Sequence, residues 1–100
     1  MNDPVLFSWR ANDGSRNFAD LPEIASFEAM RSHLWKLIDA RETDFLTDHV
    51  TEMWLDFEYR GRSFSINNQF GDYWFFVNEP ECPDEILLEV IRHFKLINPE

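Results

Sequence analysis

The sequence is poor in the residues that would stabilise a fold by means other than an apolar core. It has one cysteine, three glycines and five prolines among its 100 residues. One cysteine cannot form an internal disulfide bond, so stability must come from buried apolar side chains. The low glycine and proline content excludes a collagen-like or low-complexity chain. No run of about 18 apolar residues is present, so the chain is not expected to enter a membrane.

Basic residues are also scarce. The chain carries 9 lysines and arginines against 19 aspartates and glutamates, which gives a net charge of −10 at pH 7. Such a charge repels the phosphates of nucleic acids, so no nucleic-acid partner is expected. The acidic residues are densest in residues 39–58 and 72–89, where Arg41 is the only opposing charge. This pattern favours a basic protein as partner, because opposite potentials speed association and select partners.

The composition is that of one folded domain covering residues 1–100. Apolar residues make up 44% of the chain and aromatic residues 16%, which is far above the content of a disordered chain. The first residues lack both a basic segment and an apolar run of about 7–15 residues, so no secretion signal is expected. With Cys82 as the lone thiol, the sequence predicts a cytoplasmic protein.

Residues 53–68 predict a β-hairpin with a fixed register. Apolar and polar side chains alternate, which places Met53, Leu55, Phe57 and Tyr59 on one face and Trp54, Asp56 and Glu58 on the other. A two-residue turn at Arg60-Gly61 pairs Phe57 with Phe64 and Leu55 with Ile66, so all the apolar residues share one face. A shift of one residue would turn Phe64 and Ile66 to the wrong side.

Residues 72–78 predict the third strand of an antiparallel meander, and this strand is apolar on both faces. A loop of four residues, 68–71, pairs Ile66 with Tyr73 and directs Tyr73, Phe75 and Val77 to the core, with Trp74 and Phe76 outward. A loop of three residues, 69–71, pairs Ile66 with Trp74 and reverses the two faces. Both loop lengths are common. We favour the longer loop, because it buries the larger apolar set.

Two amphipathic helices complete the expected fold. Apolar residues recur at helical spacing in residues 26–40 and 83–96, and Ser26 and Pro83 mark the two starts. Asp20 is a further candidate cap for an extra turn before the first helix. A short strand is expected at residues 5–9, and a loop or frayed helix end at 41–49. The expected fold is an α+β two-layer sandwich in the order β-α-β-β-β-α, an antiparallel meander with two helices on one face.

The second face of the expected sheet is unusually apolar. The outward residues are predicted to include Trp54, Asp56, Glu58, Trp74 and Phe76. A face that meets water is normally polar, and an exposed apolar patch marks an interaction surface. Three alternatives remain open. The N-terminal segment with Phe7, Trp9 and Phe18 could cover this face, two copies could associate through it, or a partner or small ligand could bind there.

No motif indicates a catalytic, cofactor or metal site. The histidines His33, His49 and His93 lack the spacing of metal ligands, and no phosphate-binding glycine loop is present. Cys82 lies among acidic residues, which oppose formation of a reactive thiolate. Asp56 and Glu58 would project together, but they are explained by the solubility of the face. A helix, meander and helix also occur in double-stranded-RNA-binding domains, where the last helix begins with basic residues; here it begins with Asp84 and Glu85.

The sequence therefore ranks three functions. The first is a small acidic interaction domain that binds a basic protein. The second is a domain that forms a homodimer through its aromatic sheet face. The third is a small-molecule binder or enzyme with an aromatic pocket, which requires a cleft of at least about 300 Å³.

Overall fold

The computed structural model of the chain describes residues 5–48, 51–69 and 71–97. These residues form one six-stranded antiparallel sheet and two helices. The elements in chain order are β1 (Trp9–Arg10), β2 (Arg16–Leu21), α1 (Phe27–Leu34), β3 (Arg41–Thr47), β4 (Met53–Tyr59), β5 (Arg62–Asn67), β6 (Tyr73–Val77) and α2 (Asp84–Lys95). The strands lie side by side in the order β1-β2-β6-β5-β4-β3.

The predicted element order β-α-β-β-β-α is wrong, because two strands were missed. The strand β2 precedes α1, and the segment expected to be a loop at residues 41–49 contains β3. Each of these strands has an irregular register, between Asn17 and Ala19 in β2 and between Glu42 and Asp44 in β3. A bulge inserts one residue and so breaks the two-residue alternation that identifies a strand from sequence.

The first helix is shorter than predicted, and the second agrees to within one residue at each end. The hydroxyl of Ser26 accepts a hydrogen bond from the backbone N–H of Ala29, so Ser26 is the cap of α1. The proposed cap Asp20 lies instead in β2. The helix α1 ends at Leu34, and turns occupy residues 35–39, where Asp39 has a positive φ of 72°. The predicted continuation to residue 40 was therefore wrong.

The hairpin of β4 and β5 has the predicted register. Phe57 pairs with Phe64 and Leu55 with Ile66, and the turn consists of Arg60 and Gly61. Both turn residues have positive φ, 51° and 74°, as the favoured two-residue hairpin turn requires. Glycine at the second position adopts this conformation without the steric cost of a side chain.

The pairing of β5 with β6 matches neither predicted loop. Ile66 pairs with Phe75 rather than with Tyr73 or Trp74, so the loop is two residues longer than the four-residue alternative. The side chain of Asn68 explains the difference, because it accepts from the N–H of Met53 and donates to the carbonyl of Thr51. These bonds hold the start of the loop beside β4. A shift of two residues preserves the faces, so Tyr73, Phe75 and Val77 are buried, as the four-residue alternative predicted.

Both helices pack on the same face of the sheet and enclose one core. Met30 and Leu34 of α1 and Phe94 of α2 are almost fully buried against the sheet. Phe94 makes an edge contact with Phe75, with ring centroids 5.2 Å apart. Neither helix of the described chain is long and apolar enough to cross a membrane.

A pair of histidines joins the C-terminal turns of the two helices. Nε2 of His33 lies 2.6 Å from the carbonyl oxygen of His93, and Nε2 of His93 lies 2.6 Å from the carbonyl oxygen of His33. The rings stack with centroids 4.1 Å apart. Since a carbonyl can only accept, each Nε2 carries the hydrogen. Burial lowers the pKa of His93. The hydrogen bond to the carbonyl of His33 acts in the opposite direction, and the charges of His33 and Lys36 lower the pKa further.

This histidine pair predicts a loss of stability as the solution becomes mildly acidic. The unfolded chain binds a proton at His93 more readily than the folded chain does, so the free energy of unfolding should fall as the pH drops below about 6.5. Urea denaturation from about pH 8 to about pH 5 measures this slope. The variant His93→Gln should be less stable at neutral pH but should show a smaller slope. An unchanged slope would contradict the role of His93.

Candidate functional site

The outward face of the sheet is the face opposite the two helices. All the outward residues predicted from sequence lie on it and are half-buried, namely Trp54, Asp56, Glu58, Trp74 and Phe76. The strand pairing arranges them in rows across the sheet. In one row Asn67 stands between Trp54 and Trp74, and in the next Ser65 stands between Asp56 and Phe76.

The outward face is divided into an aromatic half and an acidic half. Trp9 of β1 and Phe76 of β6 are both register partners of Asn17, so aromatic side chains collect on the two strands that flank β2. On the opposite half, Asp56 of β4 pairs with Asp44 of β3. The face therefore changes from apolar to negatively charged over the width of one sheet.

The N-terminal segment covers part of the aromatic half. The backbone N–H of Phe7 donates to the carbonyl of Phe18, and Nε of Arg16 donates to the carbonyl of Phe7 at 2.7 Å. The Trp9 ring lies 5.0 Å from that of Phe7 and 5.8 Å from that of Trp74. The strand predicted for residues 5–9 is mostly wrong, because β1 consists of Trp9 and Arg10 and shares only Trp9 with the predicted range. Phe18 points to the helices and is part of the core, so it covers nothing on the outward face.

This partial cover leaves an open cleft of about 460 Å³ in the outward face. Its walls include the tryptophans Trp9, Trp54 and Trp74, together with Phe76. Binding sites for small molecules usually have a volume of about 300–1,000 Å³ and mostly aromatic or apolar walls with a few polar groups. The cleft therefore has the size and lining of a binding site, and it contains three of the residues predicted from sequence.

The polar lining of the cleft is mostly uncharged. It is formed by side-chain amides and hydroxyls, those of Asn12, Ser15, Asn17, Ser65, Asn67, Gln69 and Asn78. Two charged residues of opposite sign, Arg10 and Asp13, also line it, so their formal charges cancel.

Asn17 is the polar residue most firmly fixed in the cleft. Its side chain is 3% exposed, and Nδ2 donates to the carbonyl oxygens of Ala19 and Phe75 at 3.2 and 3.0 Å. These two bonds fix the plane of the amide and stabilise the bulge of β2. The other branch of the amide, Oδ1, is buried and accepts no hydrogen bond from any residue that the structure describes. A buried acceptor without a donor costs about 1–3 kcal/mol.

The acidic half contains a pair of like charges. Asp44 and Asp56 are direct register partners, and neither forms an ion pair within the described residues. The next outward pair along the same strands is Arg41 and Glu58, which do form an ion pair. Directly opposed like charges destabilise a sheet, so Asp44 and Asp56 lower the stability of the edge on which they lie.

The remaining sequence candidates are not brought together. His33 and His93 bind each other, and His49 lies outside the described residues. Cys82 is buried, and burial raises the pKa of its thiol, while the nearby charge of Arg62 lowers it by less. Over residues 5–48, 51–69 and 71–97, no three His, Cys, Asp or Glu side chains are placed to hold a metal ion.

The opposed aspartates predict a variant that is more stable than the wild type. Asp56→Asn keeps the shape of the side chain but removes the repulsion from Asp44, and should raise the free energy of unfolding by about 0.2–1 kcal/mol. Urea denaturation at low ionic strength measures the change, which should shrink with added salt. Glu81→Gln, a neutralisation at an exposed position elsewhere, is the control for net charge. Equal effects of the two variants would show that the local pair does not matter.

Comparison with known proteins supplies no relative. No protein-family model matches the chain, and no curated protein and no solved structure matches it. The function must therefore be inferred from the outward face itself.

Proposed function

We propose that the protein is a small acidic interaction domain that binds a basic protein partner on its outward face. The observation that carries this proposal is the composition of that face, where an aromatic cleft adjoins the paired carboxylates of Asp44 and Asp56. The net charge of −10 adds a long-range attraction for any positively charged partner.

The two halves of the face would make different contributions to binding. Tryptophans are the residues that most often dominate the energy of protein interfaces, because a large ring is desolvated on contact. Trp9 is 58% exposed, so much of its ring is free to be covered by a partner. The carboxylates mainly accelerate the encounter and select basic partners over acidic ones. Positively charged groups of a partner would also relieve the repulsion between Asp44 and Asp56.

Charge favours a different protein over a second copy as the partner. Two copies that met through this face would bring two acidic halves and two net charges of −10 together. A symmetric dimer must also use the same patch on both copies, so it has no separate basic surface to offer. Homodimerisation is therefore the alternative against which the proposal is tested.

The cleft itself supports a second candidate function, the binding of a small molecule. Its volume of about 460 Å³ exceeds the minimum of about 300 Å³ that this candidate requires. Among the described residues no cluster of metal-binding side chains accompanies the cleft, so the candidate concerns binding and names no reaction.

The proposal predicts salt-sensitive binding of basic peptides. A synthetic peptide of alternating arginine and glycine should bind the full-length protein, and a glutamate–glycine peptide of the same length should not. Raising the salt concentration from about 50 to about 500 mM should weaken the binding by about tenfold or more, because it screens the charges. Isothermal titration calorimetry measures the affinity for both peptides.

Variants of the outward face locate the binding. Trp54→Ala should weaken the affinity for the arginine–glycine peptide by about tenfold. Trp35→Ala, at the end of α1 and away from this face, should leave the affinity unchanged. Binding that ignores salt or responds equally to both variants would overturn the proposal. Sedimentation decides the alternative: a dimer that Trp54→Ala converts to monomer would favour self-association.

A further inference from the structure

The cleft has features that select one kind of basic side chain. We infer that it binds a guanidinium group, presented as an arginine side chain of the basic partner. This inference rests on the proposed function and adds the chemical group that the cleft takes.

The aromatic walls suit a flat cation. A guanidinium group stacks on the faces of aromatic rings, which attract positive charge, and it is more weakly hydrated than an ammonium group. The cleft presents Trp9 and Trp74 with centroids 5.8 Å apart and an interplanar angle of 34°, and Trp54 lies in the same cross-strand row as Trp74. Trp9 is 58% exposed, so its ring is available to an entering side chain.

The same protein already binds one of its own guanidinium groups in this way. The Arg31 guanidinium carbon lies 5.2 Å from the ring centroid of Trp35 and 4.6 Å from that of Phe45. Nε and one terminal nitrogen of Arg31 donate to the two carboxylate oxygens of Glu42 at 2.7 and 2.9 Å. Aromatic rings and a fixed oxygen acceptor thus hold an arginine between α1 and β3. The cleft likewise offers aromatic rings and an oxygen acceptor, here the amide of Asn17 instead of a carboxylate, and Arg10 is the one arginine among its described lining residues.

The hydrogen-bonding capacity of Asn17 points to a donor. Oδ1 of Asn17 is buried at the cleft and accepts nothing from the described residues, while Nδ2 is committed to two backbone carbonyls. A guanidinium group has five N–H donors and no acceptor, so it supplies what Asn17 lacks and makes no competing demand on Nδ2.

The surrounding charge favours a cation over an anion. Arg10 and Asp13 cancel in the lining, and two carboxylates flank it: Asp20 is the register partner of Trp74, and Asp56 is that of Ser65. Arg16, the register partner of Arg10, forms an ion pair with Asp84. With the net charge of −10, these carboxylates repel an anionic ligand and attract a cationic one. A lysine ammonium carries the same charge but cannot stack as a plane, so arginine should be preferred.

Three small probes test the inference with the full-length protein. They are the N-acetyl amides of arginine, of citrulline, which has the same shape without the charge, and of lysine. The arginine amide should shift the NMR signals of the cleft residues at millimolar concentrations. The citrulline and lysine amides should bind about tenfold more weakly or not at all. Equal binding of arginine and citrulline would show that the cleft takes a neutral polar group, and would overturn the inference.

Two tryptophan variants provide a matched comparison. Trp9 in the cleft and Trp35 outside it are 58% and 60% exposed, so replacing either with alanine removes a similar exposed ring. Trp9→Ala should weaken the arginine amide by about tenfold, and Trp35→Ala should leave its affinity unchanged. An equal loss in both variants, or no loss in either, would overturn the inference.

A charge change at the cleft gives a test that does not depend on removing a ring. Asn78 lines the cleft and is exposed, so its replacement should not disturb the core. Asn78→Asp should increase the affinity for the arginine amide a few times, and Asn78→Lys should decrease it by a similar factor. Replacing Ser32 on α1 with Asp or Lys should have little effect on that affinity. Equal responses at both positions would overturn a cation site in the cleft.

The probes and the peptide separate this inference from the proposed function. If the arginine–glycine peptide binds in a salt-sensitive way but the arginine amide does not bind, and Trp9→Ala has no effect on the peptide, the inference fails and the proposed function stands. If no basic peptide binds, the proposed function fails, whatever the amide does. If both bind and both lose affinity in Trp9→Ala, the two proposals stand together.

Discussion

The structure depends on one constraint: the two helices can cover only one face of a sheet that carries large apolar side chains on both faces. The inner face is completed by residues such as Phe94 and Leu34, which are fully buried. Within the part of the chain that the structure describes, no helix covers the outer face. On that face the ring of Trp9 packs against Trp74, but Trp9 remains more than half exposed. The aromatic cleft, and both proposals about binding, follow from this asymmetry.

The fold was predictable where short-range geometry determined the pairing, and not elsewhere. The hairpin of β4 and β5 was correct because a two-residue turn and strict alternation specify the same register. The strands β2 and β3 escaped prediction because a bulge interrupts the alternation in each. The predicted loop before β6 was two residues too short. The length of the real loop is fixed by bonds from Asn68 to Met53 of β4 and to Thr51 just before it, and β4 lies on the far side of β5.

The candidate site shows the same division. Trp54, Trp74 and Phe76 could be placed on the outer face, because a shift of two residues in the loop does not change which way a side chain points. The role of Asn17 could not be predicted, and Trp9 was placed on this face only as one of three alternatives. Both residues reach the cleft only because β2 pairs with β6, and Asn17 bonds a carbonyl 58 residues away in the sequence. No local pattern encodes such a distant pairing.

The edge strand β3 has a consequence for how the protein behaves at high concentration. A sheet that ends in a long, regular strand offers its unpaired backbone groups to neighbouring molecules, which leads to aggregation. Here that edge is interrupted by the bulge after Glu42, and it carries the charged side chains of Arg41, Glu42 and Asp44. The opposite edge, β1, is only two residues long. The molecule can therefore expose an aromatic surface while both edge strands of its sheet disfavour pairing with neighbouring molecules.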